Sequence, residues 1–175
     1  MKKLALFLFL FALPQFSWGQ LVLFQANLNG SQETPPNAST ASGFGSGVLN
    51  LATLEFDWNE SFTGMTGGNS SAAHFHVGAP GVAGPVIIPF PGFPAATSGT
   101  YSISVILTPT QESQLLGGLF YANIHNSTYP GGEIRGQLVQ VPVPEPSTYA
   151  LSGVAALGMI VFIRRRRANA SPRAV

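Results

Sequence analysis

Short apolar stretches separated by turn-forming residues dominate positions 20–141 and leave little room for long helices. The chain contains 20 glycines and 14 prolines but no cysteine, so no disulfide framework can hold the fold and a packed core must do so. Short stretches at regular spacing are typical of all-β domains. We predict a Greek-key-like β-sandwich of about seven to nine strands, with a short edge strand over Ser61–Met65 and one last strand over Glu133–Val141.

One short helix is predicted between two strands. Thr108 is placed to cap it, Pro109 takes the first helical position and Gln111 the third. The threonine hydroxyl and the glutamine side chain can then satisfy free backbone donors reciprocally. Two glycines after Leu116 end the helix, so we expect a crossover between strands rather than a core element.

Both ends of the chain differ in composition from the β region. Residues 1–19 have two lysines, an apolar run and small residues before a cleavage point after Gly19, the order of a secretory signal peptide; a retained anchor is the alternative. The β domain then spans 20–141, a proline-rich linker 142–148, and a hydrophobic transmembrane span with an arginine-rich tail 149–175. We expect an exported chain, held transiently at the inner membrane.

The charge of the β region excludes one class of partner. Residues 20–140 contain one arginine against six carboxylates, a net charge of −5. The basic residues that set the overall balance lie in the terminal segments. A domain with one cation has no basic surface for the phosphate backbone, so we exclude nucleic acid binding.

The three histidines of the chain are the best candidates for chemistry. His74 and His76 are two residues apart on a predicted strand and therefore share a face, and His125 lies on a later strand. Three imidazoles suit copper or zinc and leave an open coordination position. Ring nitrogens within about 3 to 4.5 Å of each other would fit one ion. The alternative is three polar histidines that only hydrogen-bond neighbouring loops.

Two charged residues accompany the last histidine. Glu133 could support a metal ligand from the second coordination shell, and Arg135, the only cation of the β region, could bind a carboxylate or sulfate. An ion pair of Arg135 with Glu133 or with the loop around Glu33 is the simpler interpretation. No Ser/His/Asp arrangement has a recognisable local context, so no catalytic residue is predicted.

The C-terminal segment resembles a PEP-CTERM sorting signal. The resemblance rests on Pro144, Glu145 and Pro146 within a Val-Pro-Glu-Pro-Ser motif, on the apolar stretch Tyr149–Ile163, and on four arginines after it: Arg164, Arg165, Arg166 and Arg167. It implies recognition by an exosortase-type sorting enzyme, contact with the membrane through the C-terminal segment, and delivery to the cell surface or extracellular matrix.

The β region resembles the CHRD domain, the chordin-type module. Three blocks carry the resemblance: Leu28–Pro36, Ala73–Gly78, and Tyr121–His125 leading to Pro130–Gly136. The histidine pattern is also similar to the copper half of copper/zinc superoxide dismutases. The bimetallic site of that family is excluded because the chain has no fourth histidine and no cysteine pair.

These features predict an exported, surface-sorted module without catalysis, a binding or structural component of the extracellular matrix whose partner is a polysaccharide or a matrix protein. The alternative is a mononuclear copper or zinc protein, redox active or not, that uses the three histidines.

Overall fold

The computed structural model describes residues 21–142, 153–154, 157–164 and 166. The predicted signal peptide and most of the linker and tail lie outside these residues. The described part contains nine strands: β1 Leu21–Asn29, β2 Ser42–Asn50, β3 Glu55–Thr63, β4 Ser70–Val77, β5 Val86–Pro89, β6 Gly99–Ile106, β7 Phe120–Asn126, β8 Ile134–Gln137 and β9 Val139–Val141. A 3-10 helix, Gly30–Gln32, follows β1, and helix α1, Pro109–Leu116, precedes β7.

The strands form one curled antiparallel sheet in the order β5-β4-β7-β8-β1-β2-β3-β6, with β9 paired to β1. Phe75 on β4 nevertheless packs against Phe56 and Trp58 on β3, with ring centroids 5.7 and 5.3 Å apart. The sheet therefore folds over itself and encloses the apolar core between its two halves. The all-β prediction is confirmed.

Strand β3 shows why this sheet has one buried face. Phe56, Trp58, Glu60 and Phe62 point into the core, and the residues between them are exposed. On the neighbouring strand β2, Gly45 is paired with Glu60, and a side chain on it would begin 2.0 Å from the Trp58 indole ring, so the glycine makes room for the tryptophan. Because the alternation continues to Thr63, the predicted edge strand at Ser61–Met65 is wrong.

The predicted last strand is also wrong as a single element. It is divided at Leu138, whose amide donates to the Phe120 carbonyl (2.9 Å) and whose side chain is buried. Before this break, β8 pairs with β7 and β1. After it, β9 pairs with β1.

Helix α1 has the predicted boundaries. The Thr108 hydroxyl accepts from the Gln111 amide (3.3 Å), and the Gln111 side chain accepts from the Thr108 amide (2.9 Å). Gly118 follows the helix with a positive φ of 71°. The helix connects β6 to β7, which lie in different parts of the sheet order, so it is the predicted crossover.

The chain divides into two compact units between Gln140 and Val141. In the C-terminal unit, residues 157–164 are helical. Within the described residues, no helix combines the length and apolar character that crossing a membrane requires.

Candidate metal centre

The pairing of β4 with β7 brings the three histidines onto one face of the sheet. In this antiparallel register His74 lies opposite Asn123, His76 opposite Tyr121, and Ala72 opposite His125. Directly paired residues point to the same side, so these side chains share the face that is turned away from the core residues Phe75 and Ile124. The sequence placed two of the histidines together, and the strand pairing adds the third.

The distances between the imidazoles are short. Ring centroids are separated by 5.0 Å for His74 and His125, 5.6 Å for His74 and His76, and 5.8 Å for His76 and His125. One nitrogen from each ring can be chosen so that all three lie within 4.8 Å of one another. This limit is slightly longer than the expected 4.5 Å, so small ring rotations must accompany the binding of one ion with bonds of about 2 Å.

Two backbone carbonyls orient the rings. Nδ1 of His76 lies 3.0 Å from the Gly84 oxygen, and Nδ1 of His125 lies 3.1 Å from the Pro130 oxygen. Since a carbonyl only accepts, each Nδ1 carries the proton and each Nε2 has a free lone pair. Both Nε2 atoms are buried without a hydrogen-bond partner, and so is Nδ1 of His74. The face therefore holds three nitrogens that have lost water and gained no donor.

The environment keeps these rings neutral. Burial lowers the pKa of His125 to about 4, against the smaller opposing effect of the Pro130 carbonyl. Burial also lowers the pKa of His76, and that of His74, where His76 adds to the effect. Neutral imidazoles are the form that binds metal ions, so the cluster needs no deprotonation near neutral pH.

Gly84 is fixed by sterics as well as by hydrogen bonds. A side chain at this position would begin 1.7 Å from the Val77 carbonyl oxygen. Its amide donates to the Tyr121 hydroxyl (3.0 Å), and the Tyr121 ring stacks on His76 with centroids 4.9 Å apart and an interplanar angle of 12°. The loop that contains Gly84 therefore holds both His76 and the aromatic ring that covers it.

Arg135, the residue predicted as an anion site, is buried and bonded to neighbouring loops. It is only 2% exposed, and its guanidinium donates to the carbonyls of Ala79 and Val82 (3.0 Å each), to Thr34 (3.2 Å) and to Gln137 (3.3 Å). It also lies 3.5 Å above the Tyr121 ring. Burial lowers the pKa of Arg135, while Tyr121 and Glu33 act in the opposite direction. Arg135 thus anchors the loop that positions Gly84.

The carboxylate of Glu133 is bonded to residues outside the histidine cluster. Its carboxylate is fully buried and accepts hydrogen bonds from Ser39, Thr66, Gly67 and Asn126. The histidine Nδ1 bonds go to carbonyl oxygens instead. Among the described residues, no hydrogen bond joins Glu133 to a histidine or to Arg135, the partners that the sequence suggested for it.

Two residues outside the predicted set of site residues lie beside the cluster. Asn123 is opposite His74 on β7, and its Nδ2 lies 3.4 Å from Oε2 of Glu33 and from the Gly131 oxygen. Glu33 comes from the loop after β1 and is 6% exposed. Burial raises the pKa of Glu33 to about 7, against the charge of Arg135. Strand alternation already indicated the face of Asn123, whereas no local signal indicates where the Glu33 loop folds.

Two family models match the chain. A family model of the CHRD domain matches residues 24–138, and one of the PEP-CTERM protein-sorting motif matches residues 142–167. The comparisons with curated proteins and with solved structures find no match. The sorting motif marks an exported protein that exosortase-type machinery recognises and that passes through the membrane to the cell surface. The chain belongs to the CHRD domain family, as a member that carries this sorting motif.

Proposed function

We propose that this CHRD domain binds one copper or zinc ion through His74, His76 and His125. The observation that carries the proposal is the set of three buried nitrogens without hydrogen-bond partners, one from each ring. An unpaired buried polar atom costs about 1–3 kcal/mol, and three at one place are costly unless something binds them. A single cation would satisfy all three, and neutral imidazoles are ligands that copper and zinc accept well.

The residues around the cluster fit this use. The Gly84 and Pro130 carbonyls select the ring tautomers that turn Nε2 of His76 and of His125 away from the backbone. Stacking against Tyr121 restricts rotation of the His76 ring. When bound, the ion would supply a Lewis-acid or electron-transfer centre, and three protein nitrogens would leave one coordination position free.

Metal analysis of the purified full chain tests the proposal. After loading with copper or zinc and removal of excess ion, we expect about one ion per chain and little metal in the His74→Ala/His76→Ala variant. Urea unfolding of both metal-free proteins controls for misfolding of the variant. Metal well below one ion per chain in the folded parent would contradict the proposal.

A second function is favoured by the sorting motif. Delivery to the cell surface places the domain where it can serve as a non-enzymatic component of the extracellular matrix, with a polysaccharide or a matrix protein as its partner.

Deletion of residues 142–175 should change the location of the chain, and matrix from cells that make the full chain should retain it after washing. Equal inner-membrane retention of both forms would contradict the role of the tail. Retention of the His74→Ala/His76→Ala variant in the matrix would show that matrix association does not depend on metal binding.

A further inference from the structure

In the part of the chain that the structure describes, five of the six buried side-chain nitrogen and oxygen atoms without a hydrogen-bond partner lie in or beside the histidine cluster. They are Nδ1 of His74, Nε2 of His76, Nε2 of His125, Oδ1 of Asn123 and Oε1 of Glu33; the sixth is on Glu60 in the core. In the tautomers that the Gly84 and Pro130 carbonyls define, Nε2 of His76 and of His125 are lone-pair acceptors. The two oxygens are acceptors as well, and metal binding requires the unprotonated form of His74 Nδ1. A metal ion accounts for the three nitrogens, and the two oxygens still need donors.

The two oxygens are close to each other. A side-chain carbon built on Gly132 would lie 2.2 Å from Oδ1 of Asn123 and 2.5 Å from Oε1 of Glu33. Since both amide hydrogens of Asn123 face the acceptors Glu33 Oε2 and Gly131 O, Oδ1 must point the other way. Gly132 has a φ of 130° and no side chain, which leaves the space beside these oxygens free.

Their place on the sheet puts them next to the ligands. Asn123 is paired with His74 across the strands and is two residues from His125 on the same face. The flank of His76 is already covered by Tyr121. Glu33 also lines a cavity of about 310 Å³ together with Thr34 and Arg135, which gives a small molecule a path from solvent to this loop.

We propose that Glu33 and Asn123 form an acceptor pair that holds a small protic ligand, water or another O–H or N–H donor, at the free coordination position. This inference rests on the metal binding proposed above. The pair discriminates between hydrogen-bond donors and acceptors. A ligand that donates is held by the two oxygens, whereas an anion that can only accept is repelled by the Glu33 carboxylate and by the negative end of the Asn123 carbonyl. An acceptor-only anion such as azide should therefore bind weakly.

Azide titration of the copper(II)-loaded full chain tests the pair. At pH 8, above the pKa of about 7 for Glu33, we expect azide to bind Glu33→Gln about tenfold more tightly than the parent, because a negative charge near the copper is removed. Asn123→Ala removes an acceptor without changing charge and should give about a fivefold gain. Glu55→Gln is the matched control, since this glutamate on β3 is exposed and its carboxylate accepts a hydrogen bond from Ser104, and it should leave the affinity unchanged.

A spectroscopic measurement tests whether water occupies the free coordination position. In D₂O the electron spin echo of the parent copper protein should show deuterium coupling from a bound water, and azide should remove it. Copper binding with equal azide affinities in the parent, Glu33→Gln and Asn123→Ala would overturn the acceptor pair alone. Absence of copper from the parent would overturn both this inference and the proposed function. If Glu33→Gln does not fold, the Asn123→Ala result decides.

Discussion

Glu133 is held by hydrogen bonds alone, which makes its replacement by glutamine an informative perturbation. Its carboxylate accepts from the Thr66 amide (2.6 Å), the Thr66 hydroxyl (2.7 Å), the Ser39 hydroxyl (2.5 Å), the Gly67 amide (3.2 Å) and the Asn126 side-chain amide. The hydroxyls of Ser39 and Thr66 can rotate and accept, but the three N–H groups can only donate. In either orientation a glutamine NH₂ group would face at least one of them.

The expected loss follows from this geometry. One charge-assisted hydrogen bond contributes about 1.5–3 kcal/mol, and a buried donor left without a partner costs about 1–3 kcal/mol. We expect Glu133→Gln to lower the free energy of unfolding by about 3–5 kcal/mol. Urea unfolding of the metal-free full chain at pH 7 measures it, with Glu55→Gln as a surface control that should change by less than about 0.5 kcal/mol.

The pH dependence supplies an independent check. Burial alone would raise the pKa of Glu133, but the hydrogen bonds from Ser39, Thr66 and Gly67 outweigh burial and lower it. A lowered folded-state pKa means that the stabilisation is present above the unfolded value of about 4.3 and is lost as the pH falls through the folded value. The difference in free energy of unfolding between the parent and Glu133→Gln should therefore become smaller in acid. A loss below about 1 kcal/mol, or a gap that does not change with pH, would refute the reasoning.

Three further predictions concern other positions. Gly84→Ala should weaken metal binding by about 10- to 100-fold in a chelator competition, since its side chain would displace the carbonyl that orients His76. Gly45→Ala should destabilise the domain by about 1–3 kcal/mol in urea unfolding, because the added carbon overlaps the Trp58 ring. Burial raises the pKa of Glu60 to about 7, so the free energy of unfolding should fall as the pH rises from about 4.3 to 7. Glu60→Gln should reduce that fall in urea unfolding across this pH range. Equal pH slopes for the parent and the variant would count against the prediction.

Two of the three buried glutamates in the described residues, Glu60 and Glu133, reach opposite ionisation states. Glu133 receives hydrogen bonds from three backbone or side-chain amides, whereas Glu60 receives one, from the Trp58 indole (3.1 Å), and its other oxygen has no partner. Donors stabilise the ionised form, and burial without them favours the neutral form. We therefore expect Glu133 to be charged and Glu60 to be neutral below about pH 7.

Local sequence was sufficient where a single element determines the outcome. The period of two residues put His74 and His76 on one face, the residues around Thr108 defined the start of α1, and the number of histidines excluded a two-metal site. The resemblances to the CHRD domain and to the sorting motif were also present in short blocks and are confirmed. Apart from the histidine count, each of these depends on residues close together in the chain.

Alternation failed where a residue lies just outside its strand. Glu133 and Arg135 are two residues apart, and the sequence suggested that they share a face. However, β8 begins at Ile134, and Gly132 has a φ of 130°, so the chain changes direction before the strand starts. The period-two rule applies only to extended backbone, which is why Glu133 turns toward Thr66 while Arg135 turns toward the loop around Val82.

The sequence by itself determined the candidate histidines and the class of fold, and the tertiary structure decided which groups surround those histidines. The pairing of β4 with β7 brought His125 to the other two histidines. The loops after β1 and β4 supplied Glu33 and the Gly84 carbonyl. Long-range strand pairing and loop conformation are fixed by packing and by the satisfaction of buried polar groups across the whole domain. No window of neighbouring residues contains that information.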